Sequence, residues 1–300
     1  MSGLRPTDEE TTVDGLVHYR RWPGRRGDRT LVCVHGLGED HLGWSVVSPA
    51  LADYGDVVEL DLPGYGLTPR ARRRLTVRSA QRFLHRFLDA VCPEPVVLLG
   101  SSFAGAVSVL EAMRAPQRVA ALVLTSSYYP PSFGGWRAPL VVPRLLLQGM
   151  RLARAGHSRH RGALSPVDAA ERITRVQVDR PTMQEHVSRH HHSASGHSRQ
   201  AEIEAISSLI WWSLRTRRMR KLYGQVQCPT AIVHGNNDPQ VPWQWAKAQH
   251  RRRPDWHLYP VEGEGHVAQL QDPADWLAAV TSFLRQLADG ATAGRGATHG

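Results

Sequence analysis

Three short runs, Thr30–Val34, 95–99 and Val119–Thr125, are almost unbroken in Val, Leu and other apolar residues, and Asp56–Leu60 is a fourth of the same length. A strand wetted on one face alternates with period two, so an apolar run of four to eight residues predicts a strand buried on both faces. Segments 42–54, 75–91 and Phe103–Arg114 lie between these runs with helical length or spacing. In the second, Phe83, Leu84, Phe87, Leu88 and Val91 fall on one stripe. Strand and helix in alternation predict a mainly parallel sheet covered on both faces. Ahead of them, 11–22 alternates loosely and breaks at Pro23-Gly24, the pattern of an opening strand or hairpin.

The rhythm stops near Pro130. From 131 to 223 the chain is rich in arginine and histidine, 139–155 and 203–222 have helical character, and no buried strand is evident until 230–233. A last strand over 256–261 and a helix over 274–287 follow, and the Gly/Ala/Thr-rich stretch 289–300 predicts a disordered tail.

Ser102 sits at the centre of Gly100-Ser101-Ser102-Phe103-Ala104-Gly105, between a predicted strand and a predicted helix. A serine hydroxyl is a poor nucleophile at neutral pH. It needs to stand clear of the fold, with a base beside it and N–H donors facing a developing oxyanion. His266 is the favoured base among 16 histidines, because it follows Gly263-Glu264-Gly265 in the loop after the last strand, at the sheet edge where Ser102 also lies. Asp238, just past the strand that ends near His234, is the candidate to orient that imidazole. Asp61 is a rival only by charge and is read as support for a glycine turn. His35 and His234 precede glycines at strand ends and are read as turn supports. Ser101 is read as a neighbour that lines the turn.

These residues resemble those of the α/β-hydrolase superfamily. Gly100 to Gly105 resembles its nucleophile elbow, with Ala104 in place of the second glycine; His35-Gly36-Leu37-Gly38 resembles its oxyanion loop; and Asp61-Leu62-Pro63-Gly64-Tyr65-Gly66 resembles the stretch after its next strand. Gly235-Asn236-Asn237-Asp238-Pro239 and Gly265-His266 resemble its acid and histidine turns, and the order Ser102, Asp238, His266 is that of the superfamily. The likeness spans about residues 10 to 288. It implies an eight-stranded, mainly parallel sheet with helices on both faces, formed by 1–130 and 224–288, and a helical cap inserted over 131–223. It also implies oxyanion donors at the backbone N–H groups of Leu37 and Phe103, and a cofactor-free serine hydrolase that works through an acyl-enzyme. Ester cleavage is the default for a small-molecule substrate, and carbon–carbon cleavage of a keto-dienoate is the runner-up. Dehalogenases and epoxide hydrolases of this superfamily carry an aspartate at the elbow, which Ser102 argues against. A ligand sensor on the same scaffold would usually lack a triad member, and none is missing here.

Charge adds one thing to this picture. Lys and Arg total 37 against 27 Asp and Glu, and residues 137–222 carry 16 basic and 6 acidic side chains, which is the whole surplus of ten. A field of that size attracts anionic ligands or a weak contact with an anionic membrane surface. Trp211, Trp212 and Arg215, followed by Arg217, Arg218, Arg220 and Lys221, are its candidate substrate or cap contacts. Nucleic acid is not expected, since no recognition motif is present and the aromatic residues are not interleaved with the basic ones. His186, His190, His191, His192 and His197 share helical spacing, but no carboxylate or cysteine completes a ligand set, so a solvated surface is favoured over a metal. Cys33, Cys92 and Cys228 are odd in number and far apart, which predicts buried thiols. With no run of 18 apolar residues and a polar N-terminus, the reading places the chain in the cytoplasm.

Overall fold

The computed structural model describes residues 5–25, 29–131 and 196–296. Eight strands form one sheet in the order β1-β2-β4-β3-β5-β6-β7-β8. They are β1 (Thr7–Thr12), β2 (Leu16–Trp22), β3 (Thr30–Val34), β4 (Asp56–Leu60), β5 (Val96–Ser101), β6 (Val119–Thr125), β7 (Thr230–Gly235) and β8 (His257–Val261). β1–β2 and β2–β4 pair antiparallel, and every later pairing is parallel. The eight-stranded, mainly parallel α/β sheet expected from the sequence is therefore present.

Successive side chains of a strand point to opposite faces. Val32 and Val34, Leu98, and Leu122 and Leu124 enter one core, while Leu31 and Cys33, Val97 and Leu99, and Ala121 and Val123 enter the other. That two-sided burial explains why these strands lack alternation in sequence. Helices cover both faces. On the first lie α2 (Val77–Val91) and α3 (Phe103–Arg114), and α2 starts at a capping box formed by Thr76 and Ser79 and buries Phe83, Leu84, Phe87 and Leu88. On the second lie α1 (Ser48–Leu51) and the long C-terminal helix, which follows α7 (Ala268–Gln271) as α8 (Pro273–Gly296). Helices α4 (Gly196–Ser213), α5 (Thr216–Gly224) and α6 (Trp243–Arg252) add to the first face.

Four expectations change. The opening is a full hairpin that begins at Thr7, because Asp8 and Glu9 make an edge strand legible only through the cross-strand arginines Arg20 and Arg21 that they pair with. The helix expected over 42–54 is a 3-10 turn at His41–Trp44 followed by α1, since Pro49 has no N–H to continue an earlier helix and fits only at the start of a new one. The helix expected over 203–222 breaks after Ser213. There Ser213 Oγ donates to Leu209 O at 2.7 Å and Thr216 Oγ1 to Ser213 O at 2.7 Å, drawing the backbone out of the helical ladder. The last helix runs to Gly296, so 289–296 are helical where a disordered tail was expected; the turns packed through Trp276, Val280, Phe283 and Leu284 form the helix, and 289–296 continue it, propagation needing no new nucleus. Most of the expected cap, 132–195, lies outside the described residues, as do 297–300. No helix among the described residues is long and apolar enough to cross a membrane.

Candidate active site

Ser102 occupies the turn between β5 and α3 with φ 50° and ψ −114°, a left-handed backbone that a non-glycine residue adopts only when its surroundings enforce it. Those surroundings are visible: Ser102 N–H donates to Thr125 O at 3.0 Å, and its carbonyl accepts from Gly105 N–H and Tyr128 N–H at 3.1 Å each. Ser101 is fully buried at the end of β5, whereas Ser102 is partly exposed. Ala104 replaces the glycine usual in this kind of turn, and it is accommodated because the close approach falls one residue later. A Cβ on Gly105 would collide with the Ser127 side chain. Gly105→Ala should therefore lower the urea midpoint by the equivalent of about 1–3 kcal/mol, the usual cost of overpacking; an unchanged midpoint would show that Ser127 yields freely.

His266 and Asp238 reach this serine from two loops stitched to each other. After β7, Asn237 N–H donates to Glu264 O at 2.9 Å, while Gly263 N–H in the loop after β8 donates to Asn236 Oδ1 at 2.8 Å. Asp238 Oδ1 accepts from the N–H groups of Gln240 and Val241 at 2.7 and 2.9 Å. Its Oδ2 accepts from His266 Nδ1 at 2.8 Å. Burial pushes the Asp238 carboxyl up, but the His266 charge and ring N–H, with help from His234 and the Val241 N–H, more than offset it and hold the group below its ordinary value. An ionised Asp238 can only accept, so Nδ1 of His266 carries the proton and Nε2 presents a lone pair. Ser102 Oγ lies 2.9 Å from that Nε2. A hydroxyl aligned on a neutral imidazole, which is itself held by a carboxylate, is chemically suited to lose its proton as it attacks an electrophilic carbon.

The loop after β3 closes the other side. A Cβ placed on Gly36 would lie 3.1 Å from Ser102 Cβ, so the 35–38 turn rests against the nucleophile candidate. His35 Nδ1 donates to Gly36 O at 2.7 Å, and its Nε2 accepts from Leu62 N–H at 3.0 Å, which pins the turn to the chain after β4. Among the described residues neither Leu37 N–H nor Phe103 N–H meets an acceptor; Phe103 is the first residue of α3, where a helix offers none.

Two side chains that sequence reasoning passed over also belong here. Glu39 Oε2 accepts from Gly36 N–H at 3.1 Å, and its charge acts on His266. Its signal was an acid three residues beyond the loop glycine. His234, read as a turn support, is fully buried with Nε2 2.9 Å from Val241 O and 3.4 Å from Asp238 Oδ2. Burial holds it below its ordinary value, so it stays neutral beneath the acid. Asp61 is elsewhere: it accepts from His41 N–H and Leu67 N–H and from the rings of His18 and His41. Trp211, Trp212 and Arg215 line a cavity whose described walls include none of Ser102, Asp238 and His266. The side chains of the histidine cluster at 186–197 lie outside the described residues. Among those described, Asp8, His18 and His41 come together, with Asp8 already engaged by Arg20 at 2.9 Å.

Comparison with known proteins points the same way. Residues 31–280 match the alpha/beta hydrolase family. An uncharacterized hydrolase of Bacillus subtilis is 25% identical over 287 residues, 91% of this chain and 96% of the relative. The pimeloyl-[acyl-carrier protein] methyl ester esterase of Sodalis glossinidius is 28% identical over 261 residues, 86% of this chain and 94% of the relative. An esterase from Exiguobacterium antarcticum shares the fold with a TM-score of 0.71 at 17% identity, over 93% of this chain and 99% of that one.

Proposed function

The chain belongs to the alpha/beta hydrolase family, and from that premise we propose that it is a serine hydrolase that cleaves carboxylic esters through an acyl-enzyme. The observation that carries the proposal is the continuous path from Ser102 Oγ through His266 to Asp238, at 2.9 and 2.8 Å. Ser102 Oγ attacks the ester carbonyl while its proton passes to His266 Nε2. The carbonyl oxygen, now negative, takes the N–H groups of Leu37 and Phe103 as its oxyanion hole. Collapse expels the alcohol, which receives the proton from His266, and leaves the acyl group on Ser102. Water then attacks that ester with His266 again as base, releasing the acid and restoring the serine. Asp238 stabilises the imidazolium in both halves. A relative named for cleaving a methyl ester supports esters as the substrate class. The cap, which includes α4, selects the substrate in this reading.

The test is intact-mass spectrometry after a fluorophosphonate, followed by turnover of esters of graded chain length. One adduct on Ser102 and a chain-length optimum are expected. An adduct on another residue, or none, would sink the assignment.

A pH profile tests the base. The Asp238 charge and hydrogen bond, aided by Glu39, outweigh the effect of burial and raise His266 above its ordinary 6.5. Only the neutral ring accepts a proton, so activity is lost as pH falls through the raised value. The acid limb of kcat/KM should sit above 6.5. Glu39→Gln, which keeps an acceptor for Gly36 N–H but removes the charge, should move that limb down, leaving Asp238 as the charge that faces the ring. A limb at or below 6.5 that ignores Glu39 would assign the titration to another group.

A further inference from the structure

A cavity of about 660 Å³ opens between the start of α2, the far end of α3, and helices α4 and α5. Its volume is that of a site for one small molecule. Leu110, Met113 and Arg114 of α3 form one wall, and at 1.5 Å of rise per residue they lie about 12–18 Å along the helix from Ser102. Apolar side chains contribute to the lining: Leu110, Met113, Trp212, Met219 and Leu222, of which Leu110 and Met219 are buried. Five arginines share the lining: Arg74, Arg78, Arg114, Arg215 and Arg218.

Glu204 is the only carboxylate among the described lining residues, and it is committed to Arg70 at 2.6 Å and to Leu75 N–H at 2.9 Å. None of the five arginines forms an ion pair with a carboxylate among the described residues; Arg114 donates to the neutral Gln81 Oε1 at 3.4 Å, and Arg215 Cζ lies over the Trp211 ring at 4.4 Å from its centre. Arginine stacked on indole keeps its in-plane N–H donors free for a carboxylate or phosphate. Like charges gathered around an apolar hollow repel one another until an anion enters.

We propose that this cavity is a binding site for a single-chain anionic amphiphile, with the head group on the arginines and the alkyl chain on the apolar wall. The occupant is one free molecule and not a bilayer, because the arginines line a cavity of ligand size, whereas a membrane contact needs them on an open convex face. Since the site joins α2 and α3 to α4 and α5, its ligand holds these two pairs of helices together. The proposal does not depend on the ester-hydrolase reading, since no residue of the triad lines the cavity.

Calorimetric titration of the full chain tests it, with dodecyl phosphate below its micellar concentration as the probe. Dodecyl maltoside, inorganic phosphate and phosphatidylglycerol vesicles are the comparisons, and Ser102→Ala is run in parallel so that loss of chemistry cannot be mistaken for loss of binding. Dodecyl phosphate should bind at least tenfold tighter than dodecyl maltoside or phosphate, equally in Ser102→Ala. Arg114→Glu with Arg218→Glu should lose at least tenfold, and the milder Arg114→Gln with Arg218→Gln should lose affinity while keeping the thermal midpoint of the parent. Equal affinity for the neutral and anionic amphiphiles, indifference to the charge changes in a folded variant, or binding to vesicles alone would each overturn it.

Discussion

Replacing Ser102 by alanine should abolish fluorophosphonate labelling and reduce ester turnover to background, while the urea unfolding midpoint stays within about 0.5 kcal/mol of the parent, the usual range where no packed group is lost. The two halves of that result rest on different observations. Chemistry is lost because Oγ is the atom facing His266 Nε2. Stability is kept because the left-handed backbone at this position is enforced by main-chain bonds to Thr125, Gly105 and Tyr128 that alanine retains. Alanine is no more and no less strained there than serine. A large fall in stability would mean that the hydroxyl, and not the backbone, holds the turn.

His266→Ala and Asp238→Asn should each lower kcat by about 10³-fold or more, and the double variant should be little worse than the poorer single one, because the three groups act as a unit. Asn at 238 cannot draw the Nδ1 proton with a charge, so the imidazole loses its orientation and its stabilised cation together. The measurement is kcat on the best ester of the panel, with circular dichroism to show that each variant is folded. Additive losses, or full activity in Asp238→Asn, would move the acid elsewhere. Neither described neighbour replaces the acid: His234 is a neutral, fully buried ring, and the Glu39 carboxylate is already bonded to Gly36 N–H.

What the chain disclosed in advance follows from how each feature is encoded. Strands buried on both faces announce themselves as uninterrupted Val and Leu, so β3, β5 and β6 could be placed within a residue or two. The strand–serine–helix elbow and the two turns that carry Asp238 and His266 are local patterns with glycine at fixed offsets, and they could be read for the same reason. Features made by pairing across distance were hidden. β1 is charged and exposed, and becomes a strand only when Arg20 and Arg21 lie opposite it. Glu39 shows its place only once Gly36 has turned against Ser102, and His234 only once Asp238 folds back over it. That Trp211, Trp212 and Arg215 line a cavity without the triad is also three-dimensional: their place inside the expected cap, 131–223, says nothing about which side of α3 they occupy.

The connection from β6 to β7 has a further consequence. Tyr128, just beyond β6, shares a hydrogen bond with Ser213 at the end of α4, and Arg220 of α5 reaches the carbonyl of Pro131 at 3.2 Å. The chain thus comes back beside its own point of departure before α5 leads on to β7. Lengthening or shortening such an excursion changes the closure entropy only logarithmically, by about 0.6 kcal/mol per doubling. Ser102 lies before the excursion, and Asp238 and His266 lie after it. A change in the length of the intervening segment therefore costs the fold little and leaves the loops that carry Ser102, Asp238 and His266 where they were.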